Sequence, residues 1–89
     1  MDLLEKTIDN KNELYNLALE YFYNINREQY EDIQFDNVVS KSISILLDHD
    51  FISIPCIEIK LELYKNQIKT ANYFLYVDEK TKFVDEFLY

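Results

Sequence analysis

Between Asp2 and Ile25 the apolar positions recur with the period of a helix. Taking about 100° per residue and Glu5 as zero, Leu3, Leu4, Ile8, Leu14, Tyr15, Leu17, Ala18, Leu19, Tyr21, Phe22 and Ile25 fill an arc from about 120° to 320°. Asp2, Glu5, Asp9, Glu13 and Glu20 fall in the opposite wedge, between about 0° and 80°. The pattern predicts an amphipathic helix over Asp2–Ile25 with a ridge of negative charge opposite its buried stripe. Asn10 and Asn12 are mediocre helix formers. A break would fall at Asp9–Asn12 and split the ridge into two shorter pieces.

Residues 26–36 read as a connector, with Tyr30, Ile33 and Phe35 as apolar anchors. Glu28, Glu31, Asp32 and Asp36 extend the acidic half through it. Asp36 reads as the N-cap of a second helix over about Asn37 to Asp48. There Val38, Val39, Ile43, Ile45, Leu46 and Leu47 form a broad stripe, with Asn37, Ser40, Lys41, Ser44 and Asp48 opposite. Asp48-His49-Asp50 ends it in a turn.

The second half changes period. Ile57, Ile59, Leu61 and Leu63 alternate with Glu58, Lys60, Glu62 and Tyr64, the pattern of a half-buried strand. Phe51 to Ile54 extends this strand or leads into it, interrupted at Pro55. Lys65-Asn66 marks a turn. A second strand over Thr70–Val77 places Tyr73, Leu75 and Val77 on one face, Phe74 and Tyr76 on the other. Asp78–Thr81 is a hairpin loop. A last strand over Lys82–Tyr89 puts Phe83, Asp85 and Phe87 opposite Val84, Glu86 and Leu88. The predicted fold is α+β, with two N-terminal helices packed on one face of a three-stranded antiparallel meander. The order is α-α-β-β-β, in a single domain over residues 1–89.

Size and composition fit one core. The 89 residues are 48% hydrophobic and 16% aromatic, too apolar for a disordered chain. A single cysteine, Cys56, excludes an internal disulfide and favours a reducing, cytoplasmic setting. The acidic N-terminus lacks the features of a signal peptide, and no apolar run approaches the roughly 18 residues of a membrane span.

Net charge is −8, and it is concentrated in the front half. Residues 1–50 hold 11 acidic and 4 basic side chains, whereas residues 51–89 hold 6 and 5. This argues against direct binding to nucleic acid or an anionic membrane and suits a basic partner. The chain contains no glycine. P-loops, dinucleotide fingerprints, nucleophile elbows and EF-hands all need one, so each is excluded.

Few residues offer chemistry. His49, the one histidine, sits between two aspartates in a turn. As a calcium loop from Asp48 the pattern fails, because serine stands at residue 53 and Ile59 at the bidentate position. Cys56 has no obligatory base and reads as a buried structural thiol. Glu58 and Glu62 flank Lys60 on one strand face, a pattern of exposed cross-strand pairs rather than of an acid–base couple. No metal or cofactor is implied.

Two features are in excess of what a small core needs. One is the acidic ridge, where Glu5–Asp9 and Asp9–Glu13 are unfavourable like-charge i,i+4 pairs. The other is the aromatic surplus, eight tyrosines and six phenylalanines, with Tyr64, Phe74 and Tyr76 expected on the sheet face away from the helices. The expectation is a non-enzymatic protein that neutralises a basic protein partner, most concretely an immunity protein for a nuclease-like toxin. Glu5, Asp9, Glu13, Glu20, Glu31 and Asp32 would supply the field, and Tyr64, Phe74 and Tyr76 the anchors. Alternatives are a phage- or plasmid-encoded inhibitor that mimics nucleic-acid charge, and a homodimeric structural module using the aromatic sheet face.

Overall fold

The computed structural model describes residues 3–25, 32–47 and 55–89. The first expected helix is there, as α1 (Leu3–Asp9) and α2 (Lys11–Tyr23). The joint is Asn10, at φ −101° and ψ 15°. Its N–H still reaches Lys6 O at 3.0 Å and its carbonyl still accepts from Leu14 at 2.9 Å. Two i→i−4 bonds therefore span the joint, which falls at a weak helix former. The buried stripe is narrower than the apolar pattern implies. Thr7, Leu14, Ala18 and Phe22 are buried, while Leu4 and Ile8 are 59% and 63% exposed. Thr7 tolerates burial because its hydroxyl donates to Leu3 O at 2.7 Å.

The expected three-stranded meander is corrected by a four-stranded one. Strands β1 (Asn37–Leu46), β2 (Cys56–Lys65), β3 (Ile68–Val77) and β4 (Phe83–Leu88) pair antiparallel in chain order. The segment read as a second helix, Asn37–Asp48, is strand β1 as far as Leu46. Its composition explains this. Val38, Val39, Ile43 and Ile45 are β-branched, and Ser42-Ile43-Ser44-Ile45 alternates with period two. The alternation is masked further upstream by a bulge between Ser40 and Ser42. That extra residue lets Val38, an even position, share a face with Ile43 and Ile45, opposite Leu63, Ile59 and Ile57. Asp36 correspondingly caps no helix. Its N–H donates to Tyr64 O at 2.8 Å and its carboxylate accepts from Asn66 N–H at 3.1 Å.

The core lies between α2 and one face of the sheet. Ile57, Ile59, Leu61 and Leu63 of β2 face Val77, Leu75, Tyr73 and Ala71 of β3, all buried with Leu14, Ala18 and Phe22. The Phe22 ring meets Phe35 and Tyr73 edge-on, at 5.3 and 5.4 Å between centroids. On β4 the expected alternation holds from Asp85 onward and fails before it. A register shift between Tyr76 and Val77 leaves Val84 as the extra residue. Phe83 thereby turns to the helices and stacks on Tyr21 at 5.2 Å. Val84 packs on the opposite face with Cys56 and Tyr76.

Both described hairpins need positive φ without glycine. Asn66 and Gln67 take φ 52° and 69° in the β2–β3 turn, and Thr81 takes 63° in the β3–β4 loop. The latter loop is held by Asp78, whose carboxylate accepts the N–H groups of Lys80 and Lys82 at 2.8 and 2.9 Å.

Candidate functional site

The residues expected to bind a partner divide between two opposed surfaces. Glu5, Asp9, Glu13 and Glu20 are all exposed on α1 and α2, on the side away from the buried Thr7, Leu14, Ala18 and Phe22. Asp32 is exposed as well. Among the described residues Asp9, Glu13 and Glu20 form no ion pair. Lys6, the cation at the edge of the ridge, donates to Glu79 O at 2.9 Å and so ties α1 to the β3–β4 loop. Asp2, Glu28, Glu31 and the Asp48–Asp50 turn with His49 lie outside the described residues, as do Tyr30 and Phe51–Ile54.

Tyr64, Phe74 and Tyr76 share the face of the sheet that does not carry the helices, because they alternate with Leu63, Tyr73, Leu75 and Val77. They cannot act as anchors in the middle of the acidic ridge. The sheet lies between the two. Tyr76 is buried, and Phe74 and Tyr64 are half-buried. The rings more open to solvent on this face come from the end of the chain, Phe87 at 39% and Tyr89 at 70%. Phe87 meets Tyr76 edge-on at 5.8 Å, and Tyr89 stacks on Phe74 at 5.4 Å. The sequence held part of the signal: a four-residue hairpin loop would set Asp85 opposite Phe74 and turn Phe87, two residues on, to the same face. The longer connection and the Val84 bulge instead bring Phe87 itself opposite Phe74.

Carboxylates hold this aromatic layer in place. Tyr76 donates to Glu58 at 2.8 Å, and Tyr64 donates to Glu62 at 2.9 Å. Glu62, with a side chain only 8% exposed, also meets Lys69 at 3.5 Å and Lys60 at 3.7 Å. The Lys60 ammonium lies 5.6 Å from the centre of the Phe74 ring. The Tyr64 hydroxyl, followed by the charges of Lys41 and Lys69, holds the Glu62 carboxyl below the usual carboxylate range. Burial, then the Glu58 carboxylate, push the Tyr76 phenol and the Cys56 thiol upward.

Chemically, these shifts keep both groups protonated at neutral pH, the reverse of what a nucleophile needs. Glu58 and Glu62 each accept a tyrosine hydroxyl and serve the sheet. Among the described residues no group of three His, Cys, Asp or Glu side chains is placed to hold a metal ion. No described helix is long and apolar enough to cross a membrane. A third feature is an apolar groove of about 340 Å³ between the helices and β1, lined by Leu4, Ile8, Tyr15, Ile43 and Ile45 with Lys11 at its side. Set against protein-family models, curated proteins and solved structures, the chain matches none.

Proposed function

We propose that this is a cytoplasmic, non-enzymatic protein that neutralises a basic protein partner through its helical side, as an immunity protein does for a nuclease-like toxin. The observation that carries this reading is the exposure of Glu5, Asp9, Glu13 and Glu20 on one side of α1 and α2. A helix face selected only for stability interleaves lysines with its carboxylates, gaining i,i+4 pairs. Here the same turns hold repulsive pairs, a cost that makes sense if the field is directed outward. Such a field accelerates encounter with a positively charged cleft, and covering the cleft blocks it. The single cysteine is buried, which accords with a reducing compartment.

The role of the aromatic residues changes in this reading. Tyr64, Phe74 and Tyr76 lie on the far side of the sheet and do not join the same contact. Exposed Tyr23 and half-buried Leu19 on α2, with exposed Leu4 and Ile8 on α1, are apolar groups available beside the acids.

The test is association with the product of the adjoining gene, expected on this reading to be nuclease-like, followed by stopped flow at low and high salt. Reversal of Glu5, Asp9 and Glu13 to lysine is expected to slow association at least tenfold at low salt and to relieve inhibition. Unchanged kinetics in that variant, or no association of the wild-type pair, overturns the proposal.

A further inference from the structure

We infer that the helix-free face of the sheet docks a second copy of this chain, giving a face-to-face homodimer with the acidic ridges turned outward. The inference is independent of the proposed function, since it concerns the opposite side of the molecule.

Charge is the first argument. The chain carries a net −8, yet this face is balanced. Glu58, Glu62 and Asp85 stand there with Lys60, Lys69 and Lys41, the last close enough to act on the Glu62 carboxyl. A strongly acidic chain can meet its own copy without repulsion only across such a neutral surface. A basic partner is drawn instead to the ridge.

Desolvation is the second. Stacking would remove these charges from water, which is costly for any that lack partners. For four of the six the partners are already in place, and the other two, Lys41 and Asp85, are exposed on the edge strands β1 and β4. Glu62 holds Tyr64, Lys69 and Lys60, Glu58 holds Tyr76, and Lys60 also faces the Phe74 ring. What remains open is ring surface along β4, chiefly Phe87 and Tyr89, with Val39 exposed on the opposite edge strand β1. Open aromatic rings beside polar groups that are mostly paired, the buried Asn72 Oδ1 being the exception, are the composition of an interface.

Area is the third. Four strands about 4.8 Å apart and up to ten residues long at about 3.3 Å each present roughly 550–600 Å² per copy. Two copies bury roughly 1,100–1,200 Å² in total, the lower bound for a specific pair. The ridges do not oppose the union. Helix, sheet, sheet and helix layers spaced about 10 Å apart separate them by at least about 30 Å, several screening lengths at physiological salt.

Sedimentation velocity up to about 200 µM, above the micromolar constants expected of an interface this small, tests the inference. The expected result is a species of twice the 10.8 kDa chain mass that Phe87→Glu with Tyr89→Ser returns to monomer while the far-ultraviolet spectrum is unchanged. Amide and aromatic NMR shifts on dilution of the wild-type chain provide a readout free of any folding defect. They are expected to move at Lys60, Phe74, Phe87 and Tyr89 and to stay fixed along α1 and α2. Reversal of Glu5, Asp9 and Glu13 is expected to leave the dimer intact. A wild-type chain that stays monomeric overturns the inference, as does a dimer whose shifts map to the outer edge of β1 or to the helices.

Discussion

The Tyr73 hydroxyl donates a 2.7 Å hydrogen bond to Glu86 Oε1, joining β3 to the edge strand β4 on the side where the helices pack. Tyr73 is fully buried, and burial followed by the Glu86 carboxylate keeps its phenol protonated far above neutrality. The bond matters because β4 has six residues and, among the described strands, only β3 as neighbour.

Replacing Tyr73 with phenylalanine keeps the ring against Phe22 and removes the donor. A hydrogen bond to a charged acceptor is worth about 1.5–3 kcal/mol, and Glu86 is half-buried, so a loss of about 1–2 kcal/mol is expected. The urea midpoint measures it. Glu86→Gln added to Tyr73→Phe is expected to cost less than it does alone, and strict additivity would rule the contact out as a source of stability.

The β2–β3 turn offers the opposite change. Gln67 holds φ 69° although its Cβ disfavours that region by about 1–2 kcal/mol. Gln67→Gly relieves the strain and yields Asn-Gly, the pair preferred for two positive-φ turn positions. Part of the relief is offset by the greater freedom of glycine in the unfolded chain, so a net gain of about 0.5–1 kcal/mol is expected. A lower melting temperature for this variant would show that the Gln67 side chain makes a stabilising contact.

These two cases show what the sequence could and could not convey. The alternation in β2 and β3 was plain because both strands bury one face, and it placed Tyr73, Leu75 and Val77 inward. The helical period was equally plain over Leu3–Tyr23, where the structure breaks it at Asn10. Strand β1 reads as a helix in the sequence because apolar residues on both sides of a bulge mimic a broad helical stripe. A bulge changes the parity of the strand, and neither Lys41 nor Val84 carries a residue type that announces one. The opposition of ridge and aromatic face was implicit in the pattern too. Residues that alternate away from a helix-covered core lie across the sheet from the solvent side of that helix.

Acid is expected to loosen the β3–β4 loop. The N–H groups of Lys82, and then Lys80, hold the Asp78 carboxyl below its ordinary value. A lowered folded value means that the stabilisation is present above the unfolded value of about 3.9 and is lost as pH falls through the folded one. Asp78→Ala is therefore expected to be less stable than the wild type at pH 7 and nearly equal to it below the folded value. A gap of the same size at pH 7 and at pH 2 would show that the charged form is not what the loop recognises.

Asp9 sits four residues from both Glu5 and Glu13, which makes one substitution informative about stability and binding at once. Asp9→Lys converts two repulsive i,i+4 pairs into attractive ones and places a cation at the C-terminal turn of α1. The side chain is exposed, so a gain of about 0.5–1 kcal/mol is expected, read as a higher urea midpoint. If the ridge serves to dock a basic protein, the same variant associates more slowly at low salt, and the difference shrinks as salt is added. Stability and association then move in opposite directions. A solvated face with no partner predicts the first change alone, so a more stable variant with unaltered association would remove the reason for regarding the ridge as anything but solvent-facing charge.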